Sequence, residues 1–212
     1  MGCASKCHTR AAGAIAQIRS AIGLIELISK LNRGEDWHGR AIDAPTTFFP
    51  GAAVNPTADD LGLEADRFHR KVAAGARFAM TQILFDLEAL ETFRERIGGW
   101  PVPVLVGVWP IRTTETLFRV HNEMPGIVVP EHVQERYRRA GKNARELGGE
   151  LGLELIAGAR ELAQGIYVVA PFRAPMNVVD FLPALAQPAQ APVETGRLAE
   201  ASARRTTDAG TP

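Results

Sequence analysis

The chain has 212 residues, 46% of them hydrophobic and 23% charged, which fits one globular domain with a substantial buried core. Its 24 basic and 24 acidic side chains cancel, so no overall field draws it to nucleic acid or to an anionic membrane, and any basic site must be local. No apolar run reaches the roughly 18 residues of a membrane span, and no secretory signal pattern opens the chain, so the expected compartment is the cytoplasm.

Residues 1–19 are Ala-rich and weakly patterned, and are expected to form an irregular tail. Cys3, Cys7 and His8 lie there with C-x3-C-H spacing and no second ligand pair, which does not make a metal or haem site. Regular structure is predicted from Ser20. Leu24, Ile25, Ile28 and Leu31 recur at helical spacing, and Gly34 supplies a stop. A polar loop then leads to the first of four strand-like runs, Thr47–Val54, Arg77–Phe85, Val102–Trp109 and Gly165–Ala170. Each is nearly continuously apolar, the pattern of strands buried on both faces of a parallel sheet. Helices are predicted between them. The first spans 57–74, with Thr57 as cap, Asp60 completing a capping box, and Leu61, Ala65, Phe68 and Val72 as the apolar stripe. Others cover 86–98, 113–123, 131–141, 143–163 and Pro175–Ala186. Residues 187–212 are rich in Pro, Ala, Thr and Arg and are expected to be disordered.

Alternating strands and helices predict an α/β fold with parallel crossovers. A complete (β/α)8 barrel takes ~250 residues, and four strands cannot close one. The expectation is therefore either an open sheet or part of a barrel, over residues 20–186.

Several constellations carry candidate chemistry. Glu64, Arg67 and Lys71 fall at i, i+3 and i+7, with Arg70 beside them. They read either as a basic stripe able to hold a diphosphate or as a solvated helix face laced by pairs such as Asp66–Arg70. Thr81 and Gln82 interrupt an apolar strand and need partners, because an unpaired buried amide costs on the order of 1–3 kcal/mol. Those partners are either a ligand with an amide edge or a neighbouring loop. Gly107 at the end of the third strand allows close approach of a flat ligand or makes a tight turn. His121 and Glu123 read more readily as a helix C-terminus than as a catalytic pair. Arg173, beside Phe172, could meet an anionic aromatic ligand at the rim or simply face solvent. No dinucleotide fingerprint, Walker loop, zincin motif or nucleophile elbow occurs.

Taken in order, NRGEDWHGRAI, TTFFPGAAVNPTADDL, RKVAAGARFAMTQILFD, PVPVLVGVWPI, HNEMPGIVVPEHVQERYRRAG and GIYVVAPF resemble methylenetetrahydrofolate reductase over roughly residues 20–183. The closest flavour is the reductase part of bacterial proteins that join it to a homocysteine S-methyltransferase. The resemblance implies the last four βα units of a (β/α)8 TIM barrel. It implies an enzyme of one-carbon metabolism that passes a hydride from NAD(P)H through FAD to methylenetetrahydrofolate. It would place Asn55, Glu64, Arg67, Arg70 and Lys71 along the flavin ribityl and diphosphate, Arg70 and Lys71 matching most directly. Gln82 would hydrogen-bond the folate pterin, and Arg173 would contact folate, although APFRAPM departs from the usual pattern there. The family's first four strands, which carry its general acid, have no counterpart, so no catalytic residue is assigned and a truncated form is expected. The alternative is a non-catalytic half-barrel that binds a nucleotide or folate, forms a homo-oligomer, or takes its other strands from a partner chain.

Overall fold

A computed structural model of the chain describes residues 20–170 and 175–186. Helix α1 (Ala21–Asn32) is capped by Ser20, whose hydroxyl accepts from Gly23 N. Then come β1 (Gly51–Val54), α2 (Leu61–Ala73), β2 (Phe78–Leu84), α3 (Glu88–Arg96), β3 (Val104–Val108), α4 (Thr114–Glu123), α5 (Glu131–Ala140), α6 (Ala144–Leu162) and β4 (Gly165–Val168). A 3-10 run over Pro175–Phe181 leads into α7 (Leu182–Ala186). The single helix expected over Pro175–Ala186 is thus split. Pro183 has no N–H to donate into a continuous helix and is tolerated only in a first turn.

The four strands are all parallel and stand in chain order, β1-β2-β3-β4. Each crossover advances one strand, and the result is a partial (β/α)8 barrel wall. Among the described residues both ends of the sheet are open.

Two other boundaries differ from expectation by four residues. The first strand begins at Gly51, not Thr47. Pro50 cannot donate to a ladder, and Phe49 before it is 63% exposed, stacking on Phe78 at 5.6 Å. Helix α2 begins at Leu61 and is capped by Asp60, whose carboxylate accepts from Leu63 N at 2.8 Å. Thr57 turns instead toward Asn55. Replacing Asp60 with alanine is expected to cost about 1 kcal/mol, read as a lower urea midpoint with an unchanged m-value.

The main core lies between one face of the sheet and helices α2, α3 and α6. Val54, Leu84, Val104 and Val106 meet Phe68, Leu90, Phe93 and Ala159 there. The predicted α2 stripe is the one that faces inward. The opposite face does not match the two-sided burial that the apolar runs suggested. Gly51 and Ala53 are exposed, and Met80 partly so. A parallel strand needs cover on both faces, and among the described residues no helix layer lies on this one. Only near the carboxyl ends does cover appear, where Ile83 shares a cluster with Ile127 and Val129 of the segment between α4 and α5. That segment is pinned from both sides. Val129 N donates to His121 Nδ1 at 3.2 Å, and Gln134 Nε2 donates to Val129 O at 2.8 Å.

Candidate functional site

Parallel strands deliver their carboxyl ends to one rim, where ligands of α/β folds bind. At that rim Asn55 follows β1. Its side-chain oxygen accepts from Thr57 N at 3.1 Å and from Thr57 Oγ1 at 2.8 Å, a local turn that asparagine favours. Its Nδ2 donates to the carbonyl of Gly126 at 3.2 Å, tying β1 to the segment between α4 and α5. Gly126 has φ +78°, a conformation open mainly to glycine.

Glu64 organises the helix stripe. Its buried carboxylate accepts from Asn55 N at 3.2 Å and stands 3.7 Å from Lys71 Nζ and 3.9 Å from Arg67. Lys71 also donates to Ala53 O at 2.7 Å. Pro50 O accepts from Arg77 N at the start of β2, so backbone alternation turns the Ala53 carbonyl toward the outer edge of β1. Lys71 therefore covers part of that edge from helix α2. The Lys71 side chain is 14% exposed and that of Arg67 54%, which makes Arg67 the more available cation. Arg70 stands apart from this group. It lines a groove of about 460 Å³ between α1 and α2 with Glu26, Ser29, Lys30 and Arg33.

Gln82 reaches the rim through an irregularity in β2. Strands β2 and β3 are in register at Met80–Leu105 and resume at Ile83–Gly107, so β2 has gained one residue. Thr81 and Gln82 share the space opposite Val106, which is a β-bulge. Thr81 is buried, and its Oγ1 accepts from Gly107 N at 3.0 Å. Gln82 Oε1 accepts from Ile83 N at 3.0 Å. A β-carbon added at Gly126 would lie 3.4 Å from Asn55 Nδ2 and 3.6 Å from Gln82 Nε2. Two carboxamides, from the ends of β1 and β2, thus converge on one glycine.

A sequence model described as methylenetetrahydrofolate reductase matches residues 8–170. The chain belongs to the methylenetetrahydrofolate reductase family. Over 99 residues it is 29% identical to methylenetetrahydrofolate reductase 2 of Saccharomyces cerevisiae, a match covering 46% of this chain and 16% of that protein. A solved structure of an uncharacterized protein from Clostridium thermocellum, described as binding two copies of 5-methyl-5,6,7,8-tetrahydrofolic acid, is similar over 64% of this chain and 52% of that one, at 17% identity and a TM-score of 0.45.

Within this methylenetetrahydrofolate reductase wall the sequence-predicted residues separate into groups. Asn55, Glu64, Arg67 and Lys71 come together, Gln82 joins Asn55 across Gly126, and Arg70 does not join them. Arg173 lies outside the described residues, as do Cys3, Cys7 and His8. His121 holds a loop backbone, in keeping with its place in the last turn of α4. Gly107 makes room for a ring of the protein itself, since a β-carbon there would sit 2.5 Å from Tyr167 Cζ. Sequence reasoning missed that contact, although Tyr167 is the one polar side chain in the run GIYVVA. A cleft of about 370 Å³ opens beside the same rim, between Pro56, Leu61, Phe85, Asp86, Thr92 and Val128, a size suited to a small ligand. No helix among the described residues is long and apolar enough to cross a membrane.

Proposed function

We propose that the barrel to which this wall belongs reduces 5,10-methylenetetrahydrofolate to 5-methyltetrahydrofolate with electrons from NAD(P)H and FAD as the intermediate carrier, and that this chain supplies binding residues but not the general acid. The observation that carries this reading is the convergence of the Asn55 and Gln82 carboxamides on Gly126 at the carboxyl rim of a chain from this family. The Gln82 carboxamide offers a donor and an acceptor side by side, which suits the amide edge of a pterin. FAD, when bound, supplies the redox centre that takes a hydride from the nicotinamide and returns it to folate.

The donor set fits an anionic cofactor in part. Arg67 is exposed and loosely paired, and it would meet a diphosphate directly. Lys71 would contribute by turning from Ala53 O, and Glu64 would keep both cations in place while Asn55 lines the ribityl side. Arg70 would reach the cofactor only by leaving the groove beside α1. Arg173 is proposed as a second folate contact. A role in methionine synthesis belongs to the same proposal.

The test is a comparison of half-reactions. In a protein with the complete barrel, Gln82→Ala is expected to slow oxidation of the reduced flavin by methylenetetrahydrofolate at least tenfold, while flavin reduction by NAD(P)H changes less than twofold. Equal impairment of both would remove Gln82 from the folate site.

A second reading is a non-catalytic half-barrel that binds folate or a nucleotide, or that works with a partner chain. The exposed face at Gly51, Ala53 and Met80 and the engagement of Lys71 with Ala53 O favour it. Purified chain decides between them. Bound flavin absorbance with NAD(P)H–menadione turnover supports the enzyme, and colourless protein that still binds folate supports the half-barrel.

A further inference from the structure

The β2 bulge is braced from two strands away. Tyr167, on β4, is the direct register partner of Gly107 on β3, so both occupy the same face of the sheet. The Tyr167 ring lies over Gly107, where any side chain would collide with it. Its hydroxyl crosses β3 and donates to Thr81 O at 2.7 Å. The Thr81 hydroxyl meanwhile accepts from Gly107 N at 3.0 Å. A bulge leaves backbone groups out of the ladder, and a buried orphan carbonyl or N–H is costly. Here one side chain serves the stranded carbonyl of Thr81, and the Thr81 side chain serves the N–H of the facing strand. Burial pushes the Tyr167 phenol above its ordinary range, so it remains a donor throughout the neutral pH range.

The bulge has a consequence for the rim. Met80 and Ile83, three residues apart, both pair with residues of one face, Leu105 and Gly107, which strict alternation forbids. The break in parity falls at Thr81–Gln82, immediately before the Gln82 side chain meets Gly126. With a regular β2, the residues from Ile83 onward would lie on the opposite faces.

We propose that Tyr167 is a positioning residue for folate: by holding the Thr81 carbonyl across Gly107, it maintains the bulge that aims Gln82 at the pterin. The inference rests on the proposed role of Gln82 as a folate contact. Tyr167 does not touch the ligand in this assignment, and it acts through Thr81 and Gln82.

Tyr167→Phe keeps the ring over Gly107 and removes only the hydroxyl. In the full chain, affinity for 5-methyltetrahydrofolate is expected to fall about fivefold, the effect of losing one hydrogen bond. Gln82→Ala is expected to fall at least as far, and adding Tyr167→Phe to it should change affinity less than twofold, because the brace then has nothing left to aim. Full additivity of the two changes, or wild-type affinity in Tyr167→Phe beside a weakened Gln82→Ala, overturns the positioning role. Wild-type affinity in Gln82→Ala, or no folate binding by the unaltered chain, overturns the folate reading itself and this proposal with it. The Gln82 side-chain amide signal in 15N spectra of the ligand-free chain gives a separate readout of aim. It is expected to shift or broaden in Tyr167→Phe, and an unmoved signal overturns the proposal whatever the binding result.

Discussion

Phe68→Ala is expected to lower stability by about 3–5 kcal/mol, against a usual total of roughly 5–15 kcal/mol for a domain. Phe68 is fully buried on α2 and is the centre of an aromatic group. Its ring centroid is 6.4 Å from both Phe93 and Trp100, edge-on to the latter. Trp100 is itself fixed by donating from Nε1 to Leu162 O at 2.7 Å, so it has little freedom to refill the space. Loss of the ring therefore leaves a cavity joining α2, α3 and α6 rather than a local collapse. Helix α2 also carries Glu64 and Lys71, so the site is expected to loosen with the core. Urea unfolding followed by Trp fluorescence measures the first effect. A loss below about 1 kcal/mol would mean that the aromatic group repacks without it.

Gly126→Val is expected to affect the site most among single changes that spare the core. The left-handed φ of +78° costs a side-chain residue roughly 1–2 kcal/mol, and a β-branched one more. The added β-carbon enters the space between Asn55 Nδ2 and Gln82 Nε2, at 3.4 and 3.6 Å, and the γ-methyl groups have to displace one or both. Asn55 would lose its carbonyl partner on Gly126 as that backbone shifts. If the chain binds folate as proposed, its affinity for 5-methyltetrahydrofolate is expected to fall more than tenfold, which corresponds to about 1.4 kcal/mol. Titration calorimetry with circular dichroism as a fold control reads both quantities. Unchanged affinity would detach the convergence point from ligand binding.

Much of the architecture is legible in the sequence. The four apolar runs and the intervening amphipathic segments each appear as the expected element, and Leu90, Phe93 and Phe68 face the core as their spacing required. The reason is that the 3.6-residue periodicity of helices and the short continuous apolar runs of buried strands are local and are written directly into the order of side chains. Boundaries were less legible. Asp60 displaced Thr57 as the α2 cap because Asn55 Oδ1 captured the threonine hydroxyl, a competition between two short-range partners that spacing alone does not rank.

The site divides in the same way. The sequence by itself determined that the chain is a parallel α/β wall, that Glu64, Arg67 and Lys71 share a helix face, and that Thr81 and Gln82 need partners. The ordered motifs pointed to the methylenetetrahydrofolate reductase family. Only the tertiary structure decided which partners those residues take. Lys71 reaches the edge of β1, Asn55 meets Gly126 across 71 residues, and Thr81 is held by Gly107 across 26 and by Tyr167 across 86. No periodicity links positions so far apart. Their meeting depends on strand register, and the one-residue shift between β2 and β3 that sets it arises from packing and hydrogen-bond closure over the whole sheet.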